Sequence, residues 1–176
     1  MGHSMIFQLS TTGVDVRCNA FLLPDDSEIG CTLYDTNGTD RYKSLNETLY
    51  KKADGCLLVY DITNRRSFEQ IKDYYIPKIK EKCQQNIFIL LLGNKNDMED
   101  KRIVSFKEGN TLALENKFIF KEVSCIKNEN VFETFQNIIE NTFNIKKKNW
   151  NNDNDNISLS SYHHNNLNKE RKTKCC

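Results

Sequence analysis

The chain has 176 residues, of which 25 are Lys or Arg and 24 are Asp or Glu, giving a formal net charge of +1 at pH 7. This length suffices for one domain with a sizeable core, and the balanced charge provides no overall basic field for nucleic acid. No apolar run approaches the length of a membrane span, and residues 1–10 lack the basic start and long apolar region of a signal peptide.

Cysteine usage indicates a reducing compartment. Five of the seven cysteines are single, stand mostly in apolar segments and lack the paired spacing of a zinc site. We expect these five to be buried, reduced thiols of a cytosolic protein. They are Cys18, Cys31, Cys56, Cys83 and Cys125.

The first third of the chain predicts a β-hairpin, a helical segment and a buried strand. Apolar residues nearly alternate with polar ones over Ser10–Leu23, which predicts a strand, and Ile29–Tyr34 is the return strand. Residues Thr39–Ala53 are polar with apolar residues at helical spacing, and Gly55–Thr63 is an apolar strand.

The remainder predicts alternating helices and strands. A helix with one apolar stripe begins at Ser67, is kinked by Pro77 and ends near Gln84. Ser105 caps a further helix, and Phe118–Ser124 is a short strand. A strongly amphipathic last helix, from Val131, ends in the basic residues Lys146–Lys148, which suit its dipole.

The segment Ile87–Asp97 is the most informative stretch. Its apolar run predicts a strand buried on both faces, and it ends in Gly93 followed by Asn94, Lys95 and Asp97. Ligands of open α/β sheets bind at the carboxyl ends of strands, and an aspartate there can accept two parallel N–H bonds from an edge such as that of guanine. From these residues alone, a simple polar turn is an equally good interpretation.

Strands alternating with helices predict an α/β fold with a doubly wound, mostly parallel sheet and one antiparallel hairpin strand near an edge. Residues 1–148 form the predicted domain. Residues 149–176, rich in Asn, Asp, Ser and Lys, form a predicted flexible tail, because they contain too few apolar residues to offset the entropy of ordering.

Polar signatures follow several predicted strands in a fixed order, and this arrangement resembles the small GTPase superfamily, specifically the Rab family. The similarity runs from about Phe7 to Lys147. The residues that carry it are Ser10–Val16, Tyr34–Gly38, Leu58–Thr63, Asn94–Asp97, Ser124-Cys125 and the terminal Cys175-Cys176.

The resemblance implies GTP or GDP with Mg²⁺ as ligands. Asp97 would bind the guanine N–H edge, Asn94 its Hoogsteen side, and the Lys95 stem would stack along the base. The backbone N–H near Cys125, after Ser124, would reach the guanine carbonyl.

The resemblance also implies two switch segments, ordered by the γ-phosphate. Asp35 would hold Mg²⁺ through water, Thr11 would ligate it directly, and the Gly38 N–H would contact the γ-phosphate. The surface implied for effectors comprises Gly13, Val14, Asp15, Val16, Tyr34 and Tyr42.

Two departures from the family pattern predict impaired nucleotide chemistry. Thr39 stands where the family carries a water-positioning glutamine, and it is too short for that task. None of the seven glycines is followed by Lys, so the 176 residues contain no Gly-x-x-x-x-Gly-Lys-Ser/Thr phosphate loop. We expect the first strand, this loop and the first helix to be missing together, which would leave two strands with unpaired inner edges.

Three interpretations follow from that expectation. The chain is a fragment or misstarted form of an ordinary Rab GTPase, a pseudo-GTPase scaffold for effectors, or a chain that does not fold stably.

Basic residues from Lys169 to Lys174 precede Cys175 and Cys176, and this end resembles the double geranylgeranylation signal of Rab proteins. The resemblance implies escort and dissociation-inhibitor partners, attachment to the cytoplasmic face of a membrane and a role in vesicle trafficking. Two long prenyl chains anchor stably, and the basic residues favour an anionic leaflet. A metal site with His163 and His164, or a disulfide, is the alternative.

Overall fold

The computed structural model describes residues 2–9, 15–23, 28–37, 49–83 and 87–154. Its strands are β1 (Gly2–Leu9), β2 (Asp15–Leu22), β3 (Glu28–Asn37), β4 (Gly55–Asp61), β5 (Phe88–Asn94) and β6 (Ile119–Val123). Its helices are α1 (Arg65–Gln70), a π-helix (Ile71–Tyr75), α2 (Ile76–Lys82), a 3₁₀ helix (Asn96–Lys101), α3 (Phe106–Asn116) and α4 (Val131–Asn154).

The strands form one six-stranded sheet in the order β2-β3-β1-β4-β5-β6. Every neighbouring pair is parallel except β2 and β3, which are antiparallel at one edge. The doubly wound α/β fold with an antiparallel hairpin strand at an edge is therefore confirmed.

The prediction of unpaired inner edges is wrong, because β1 fills the centre of the sheet. It pairs with β3 from Gly2↔Gly30 to Leu9↔Asn37, and with β4 from Met5↔Gly55 to Gln8↔Leu58. The edges of β3 and β4 present backbone N–H and C=O groups that need partners, and an extended segment of matching length supplies them.

The sheet is covered by helices on its two faces. Alternate residues of β4 and β5 enter different cores, so that Leu58 and Leu91 pack beneath α1, α2 and α3, while Leu57 and Leu90 pack beneath α4. These four side chains are almost completely inaccessible to water, as expected for parallel strands buried on both faces.

The helix predicted from Ser67 to about Gln84 begins and ends earlier and contains a π-helical turn. The Asn64 side chain caps α1 by accepting a hydrogen bond from the Ser67 backbone, and α2 ends at Lys82. The π-helix directly precedes Pro77, which lies in the first turn of α2. A widened turn before Pro77 accommodates a residue that cannot donate a backbone hydrogen bond.

The cap predicted for α3 is confirmed, since Ser105 and Glu108 form a reciprocal capping box. The predicted end of the last helix at Lys146–Lys148 is wrong. Helix α4 continues to Asn154, inside the segment predicted as tail, because extending a nucleated helix costs little even in a polar sequence.

The cysteine prediction is confirmed in part. Cys31 and Cys56 are buried and Cys83 is half-buried, and burial raises the pKa of Cys31 and of Cys83 to about 11. Cys18 and Cys125 are exposed, contrary to prediction, because Cys18 lies on the solvent side of the edge strand β2 and Cys125 follows β6. All five thiols are free.

Candidate guanine-binding site

The carboxyl ends of β4, β5 and β6 bring three polar signatures to one edge of the sheet. Asp61 at the end of β4 pairs with Asn94 at the end of β5, and Asn94 pairs with Val123 at the end of β6. Ser124 follows immediately. This edge is where open α/β sheets bind their ligands.

The carboxylate of Asp97 is oriented by a buried serine. Ser124 is fully buried, and its hydroxyl donates a hydrogen bond of 2.6 Å to Asp97 Oδ1. The same oxygen, Ser124 Oγ, accepts a bond of 3.1 Å from the Lys127 backbone N–H. The carboxylate is thereby held at the sheet edge in one orientation, as recognition of a planar N–H edge requires.

The side chain of Asn94 joins the two loops that follow β5 and β6. Its Oδ1 accepts hydrogen bonds from the backbone N–H of Lys95, at 2.8 Å, and of Cys125, at 3.4 Å. Because Oδ1 faces these donors, the amide NH₂ is the end of the side chain that can bond to a ligand.

Lys95 adopts a strained backbone and an anchored side chain. Its φ and ψ are 69° and 38°, in the left-handed region that non-glycine residues rarely occupy. Its Nζ lies 2.7 Å from Asp61 Oδ2, in an ion pair that is partly exposed. Backbone strain of this kind is concentrated at binding sites, and here it aims the lysine stem across the strand ends.

Asp61 is held as an anion at this corner. Its Oδ1 accepts bonds from the Thr63 backbone N–H, at 2.8 Å, and from the Thr63 hydroxyl, at 2.7 Å. Desolvation alone would raise the pKa of Asp61, but the hydrogen bonds from Lys95 and Thr63 outweigh it and keep the pKa below the usual range.

Sequence reasoning missed the contributions of Asp61 and Thr63 to the site. They stand in the Rab-like stretch Leu58–Thr63, but no role followed from the pattern. The available signal was their position at the end of a buried strand neighbouring β5.

A largely buried ion pair connects β6 with the 3₁₀ helix that follows β5. Arg102, only 15% exposed, contacts Glu122 on β6 through two bonds of 2.7 and 2.8 Å. It also binds Glu99 of the 3₁₀ helix that carries Asp97. The hydrogen bonds that Arg102 donates to Glu122 and Glu99 raise the pKa of Arg102, so it remains charged. These contacts of Arg102 hold the 3₁₀ helix against β6.

The length of the link between β1 and β2 bears on the phosphate side of the implied site. Five residues, 10–14, join the end of β1 to the start of β2. A phosphate loop of the Gly-x-x-x-x-Gly-Lys-Ser/Thr type already needs eight residues, before its helix. The residues present therefore fit guanine but do not fit a phosphate loop after the central strand.

Several predicted site residues lie outside the described residues, so their predicted roles are not tested. They are Thr11, Gly13, Val14, Gly38, Thr39, Tyr42, Cys175 and Cys176.

The other residues predicted for Mg²⁺ or for effectors lie in β2 and β3. Asp35 is half-buried near the end of β3, and Tyr34 packs against the cluster of Tyr50 and Ala53. Asp15 begins β2, and Val16 is 47% exposed. Across the described ranges, no three His, Cys, Asp or Glu side chains are grouped as a metal site.

Comparison with known proteins agrees with this geometry. The family profile described as "Ras family" matches residues 6–144. The chain therefore belongs to the Ras family of the small GTPase superfamily, in its Rab branch.

The Rab assignment comes from the relatives. The chain is 38% identical to Ras-related protein Rab-3A of Homo sapiens over 132 residues, covering 75% of this chain and 59% of the relative. It is 36% identical to GTP-binding protein ypt3 of Schizosaccharomyces pombe over 136 residues, or 77% and 63% of the two chains. It is 39% identical to Ras-related protein Rab-8B of Homo sapiens over 127 residues, which cover 72% of this chain and 60% of the relative.

The chain spans about three-fifths of the length of these curated relatives. Among the helices that the structure describes, none combines the length and apolar character needed to cross a membrane.

Proposed function

We propose that this chain is a membrane-attached Rab-type regulator of vesicle trafficking that recognises guanine but binds guanine nucleotides weakly. One observation carries the proposal. Asn94, Lys95, Asp97 and Ser124 lie together at the carboxyl ends of β5 and β6, which supports base recognition, and only five residues separate the end of β1 from the start of β2.

The size of the expected loss follows from the missing contacts. Hydrogen bonds to charged groups each contribute about 1.5–3 kcal/mol, and a phosphate loop supplies at least three or four of them. Their loss costs on the order of 5–10 kcal/mol, which is about four to seven decades of affinity. Asp97 can still accept two N–H bonds from guanine, so we expect selectivity for the base without tight binding.

Hydrolysis should be slower still. Thr39 stands at the position of the family's water-positioning glutamine, and its side chain is too short to orient an attacking water. The chain would then not operate as a timed switch, even when nucleotide is supplied at high concentration.

Titration with a fluorescent guanine nucleotide and Mg²⁺ tests this proposal. We expect a dissociation constant well above the micromolar range, with preference for guanine over the matched adenine nucleotide. Asp97→Ala should remove that preference. A submicromolar dissociation constant would contradict the proposed weakness, and unchanged preference in Asp97→Ala would contradict the base site.

Membrane attachment through Cys175 and Cys176 is part of the proposal. Each buried CH₂ contributes about 0.8 kcal/mol, so two geranylgeranyl chains hold a protein on a bilayer stably. Deletion of both cysteines should move the protein from the membrane fraction to the cytosol. Replacement of the exposed Cys18 by Ser is the matched control, and persistence of the deletion variant on membranes would refute the anchor.

The second candidate is a pseudo-GTPase scaffold that contacts effectors independently of nucleotide. The short separation of β1 and β2 favours it, because the five residues between the two strands are fewer than the eight of a phosphate loop. Effector binding that is equal with GDP, GTP and no nucleotide would favour the scaffold. Binding that depends on GTP would exclude it.

A further inference from the structure

We propose that a cavity at the amino ends of β5 and β6 binds a single-chain amphiphilic anion of the fatty carboxylate class. This amino-end cavity has a volume of about 460 Å³, within the range of about 300–1,000 Å³ that is typical of small-molecule sites. It lies at the end of the sheet opposite the guanine corner, about 20 Å away along the seven residues of β5. The proposal therefore does not depend on nucleotide binding.

The amino-end cavity exists because β5 begins earlier than its neighbour β6. Leu90 of β5 pairs with Ile119, the first residue of β6, so Phe88 and Ile89 extend beyond the end of that strand. Helix α3 ends directly before Lys117, whose φ of 61° turns the chain toward β6. The projecting end of β5 is thus bordered by the turn after α3 and by α4, with no part of β6 beside it.

The inner surface of the amino-end cavity is mainly apolar. Its apolar lining includes Phe88 and Ile89 of β5, Phe118 and Ile119 at the start of β6, and Ile145 of α4. Ile119 is 39% exposed, so this surface is in contact with water. An aliphatic chain placed here would remove apolar area from water, and each fully buried CH₂ raises the affinity about fourfold.

Two lysines make the rim of the amino-end cavity positive. Lys117 follows α3 on one face of the sheet, and Lys148 belongs to α4 on the other face. The lining residues, all of which the structure describes, include no Asp or Glu. Neither lysine forms an ion pair or hydrogen bond with the described part of the chain. Since lysine stems can lie on apolar surface while their ammonium groups stay in water, this rim suits a negative head group above an apolar chain.

The groups next to this rim do not oppose an anion. Lys80 of α2 donates a hydrogen bond of 2.6 Å to the side chain of Asn116, which lines the cavity. Asn116 in turn donates a bond of 2.7 Å to the carbonyl of Leu112, one of the groups that give the end of α3 its partial negative charge. Glu115, the carboxylate closest in sequence to Lys117, lines a different cavity, between α1 and α3.

The test uses the full 176-residue chain and three ligands with the same ten-carbon chain: decanoate, decanol and decyltrimethylammonium. Each is titrated at pH 7.5, below its critical micelle concentration, and amide chemical shifts in nuclear magnetic resonance spectra give the dissociation constants. We expect decanoate to bind about fivefold more tightly than decanol, because exposed ion pairs contribute modestly, and decyltrimethylammonium to bind most weakly. Octanoate should bind about fourfold or more weakly than decanoate. The shifts should change most at residues 87–89, 116–119 and 145–148.

Two double variants locate the binding. Lys117→Gln with Lys148→Gln should remove the preference for decanoate over decanol and leave the affinity for decanol unchanged. Lys72→Gln with Lys107→Gln is the matched control, because these exposed lysines line the cavity between α1 and α3, and it should keep the preference. Far-UV circular dichroism verifies that both variants are folded.

Three results would overturn the proposal: no binding of decanoate, equal binding of the three ten-carbon ligands, or equal effects of the two double variants. Sedimentation with phosphatidylserine vesicles distinguishes a membrane surface from a single amphiphile. If the chain binds these vesicles through Lys117 and Lys148 but does not bind decanoate, the ligand is a lipid surface and the proposed cavity ligand is refuted.

Discussion

Replacement of Arg102 by Met should destabilise the protein more than any other single change at the sheet edge. Arg102 is 15% exposed and Glu122 is 12% exposed, so removing the guanidinium leaves a largely buried carboxylate without its counter-ion. Breaking such a pair costs about 3–5 kcal/mol, a large part of the 5–15 kcal/mol that stabilises a typical domain. The ion pair of Arg102 with the mostly exposed Glu99 adds little to the free energy of unfolding.

Urea unfolding followed by circular dichroism measures this effect. With a slope of about 2 kcal/mol per M, the midpoint should fall by about 1.5–2.5 M. The double variant Arg102→Met with Glu122→Met should recover much of the loss, because a buried ion pair can be replaced by apolar residues of similar volume at small cost.

A matched control is Arg65→Met. Arg65 forms a comparable ion pair with Glu108 at 2.7 Å, but the two side chains are 38% and 42% exposed. We therefore expect this variant to lower the free energy of unfolding by no more than about 1 kcal/mol. Equal losses for Arg65→Met and Arg102→Met, or no recovery in the double variant, would refute the reasoning from burial.

Two further predictions concern stability. Asp61→Asn should lower the free energy of unfolding by about 0.5–1 kcal/mol at pH 7, because the ion pair with Lys95 is partly exposed. Because the pKa of Asp61 is lowered in the folded protein, the difference in the free energy of unfolding between wild type and Asp61→Asn should be fully present above about pH 5. It should disappear as the pH falls through the folded-state pKa of Asp61. A difference that is independent of pH in urea unfolding would contradict this prediction. Gly109→Ala should destabilise by about 1–3 kcal/mol, because its Cβ would come within 2.5 Å of ring carbon Cζ of Phe120, whereas Gly30→Ala, with no atom within 4 Å, should cost little. Equal shifts of the melting temperature in the two glycine variants would exclude overpacking as the cause.

The sequence predicted those parts of the fold that local signals determine. The apolar run of β5 predicted a strand buried on both faces, and Ser105 predicted the start of α3. The sequence also indicated Asn94, Lys95 and Asp97 as candidate base-recognition residues, because they follow a buried strand and match the Rab pattern, and their role stays a prediction.

The features that the sequence did not predict depend on long-range partners. β1 pairs with β3 on one side and with β4 on the other, and this short segment alone was not predicted to be a strand. Likewise, the ion pair of Arg102 and Glu122 joins residues 20 apart in sequence, and charge patterns alone do not distinguish such pairs from exposed ones.

We propose that the chain recognises the guanine base without binding the phosphates tightly, and a comparison of affinities tests this proposal most directly. Dissociation constants for guanosine, GMP, GDP and GTP, each with Mg²⁺, would be measured by nuclear magnetic resonance titration of the folded chain. We predict that the four ligands bind within about tenfold of one another, because the phosphates gain few contacts, and that adenosine binds more weakly than guanosine. An affinity for GTP four or more decades above that for guanosine would contradict the account.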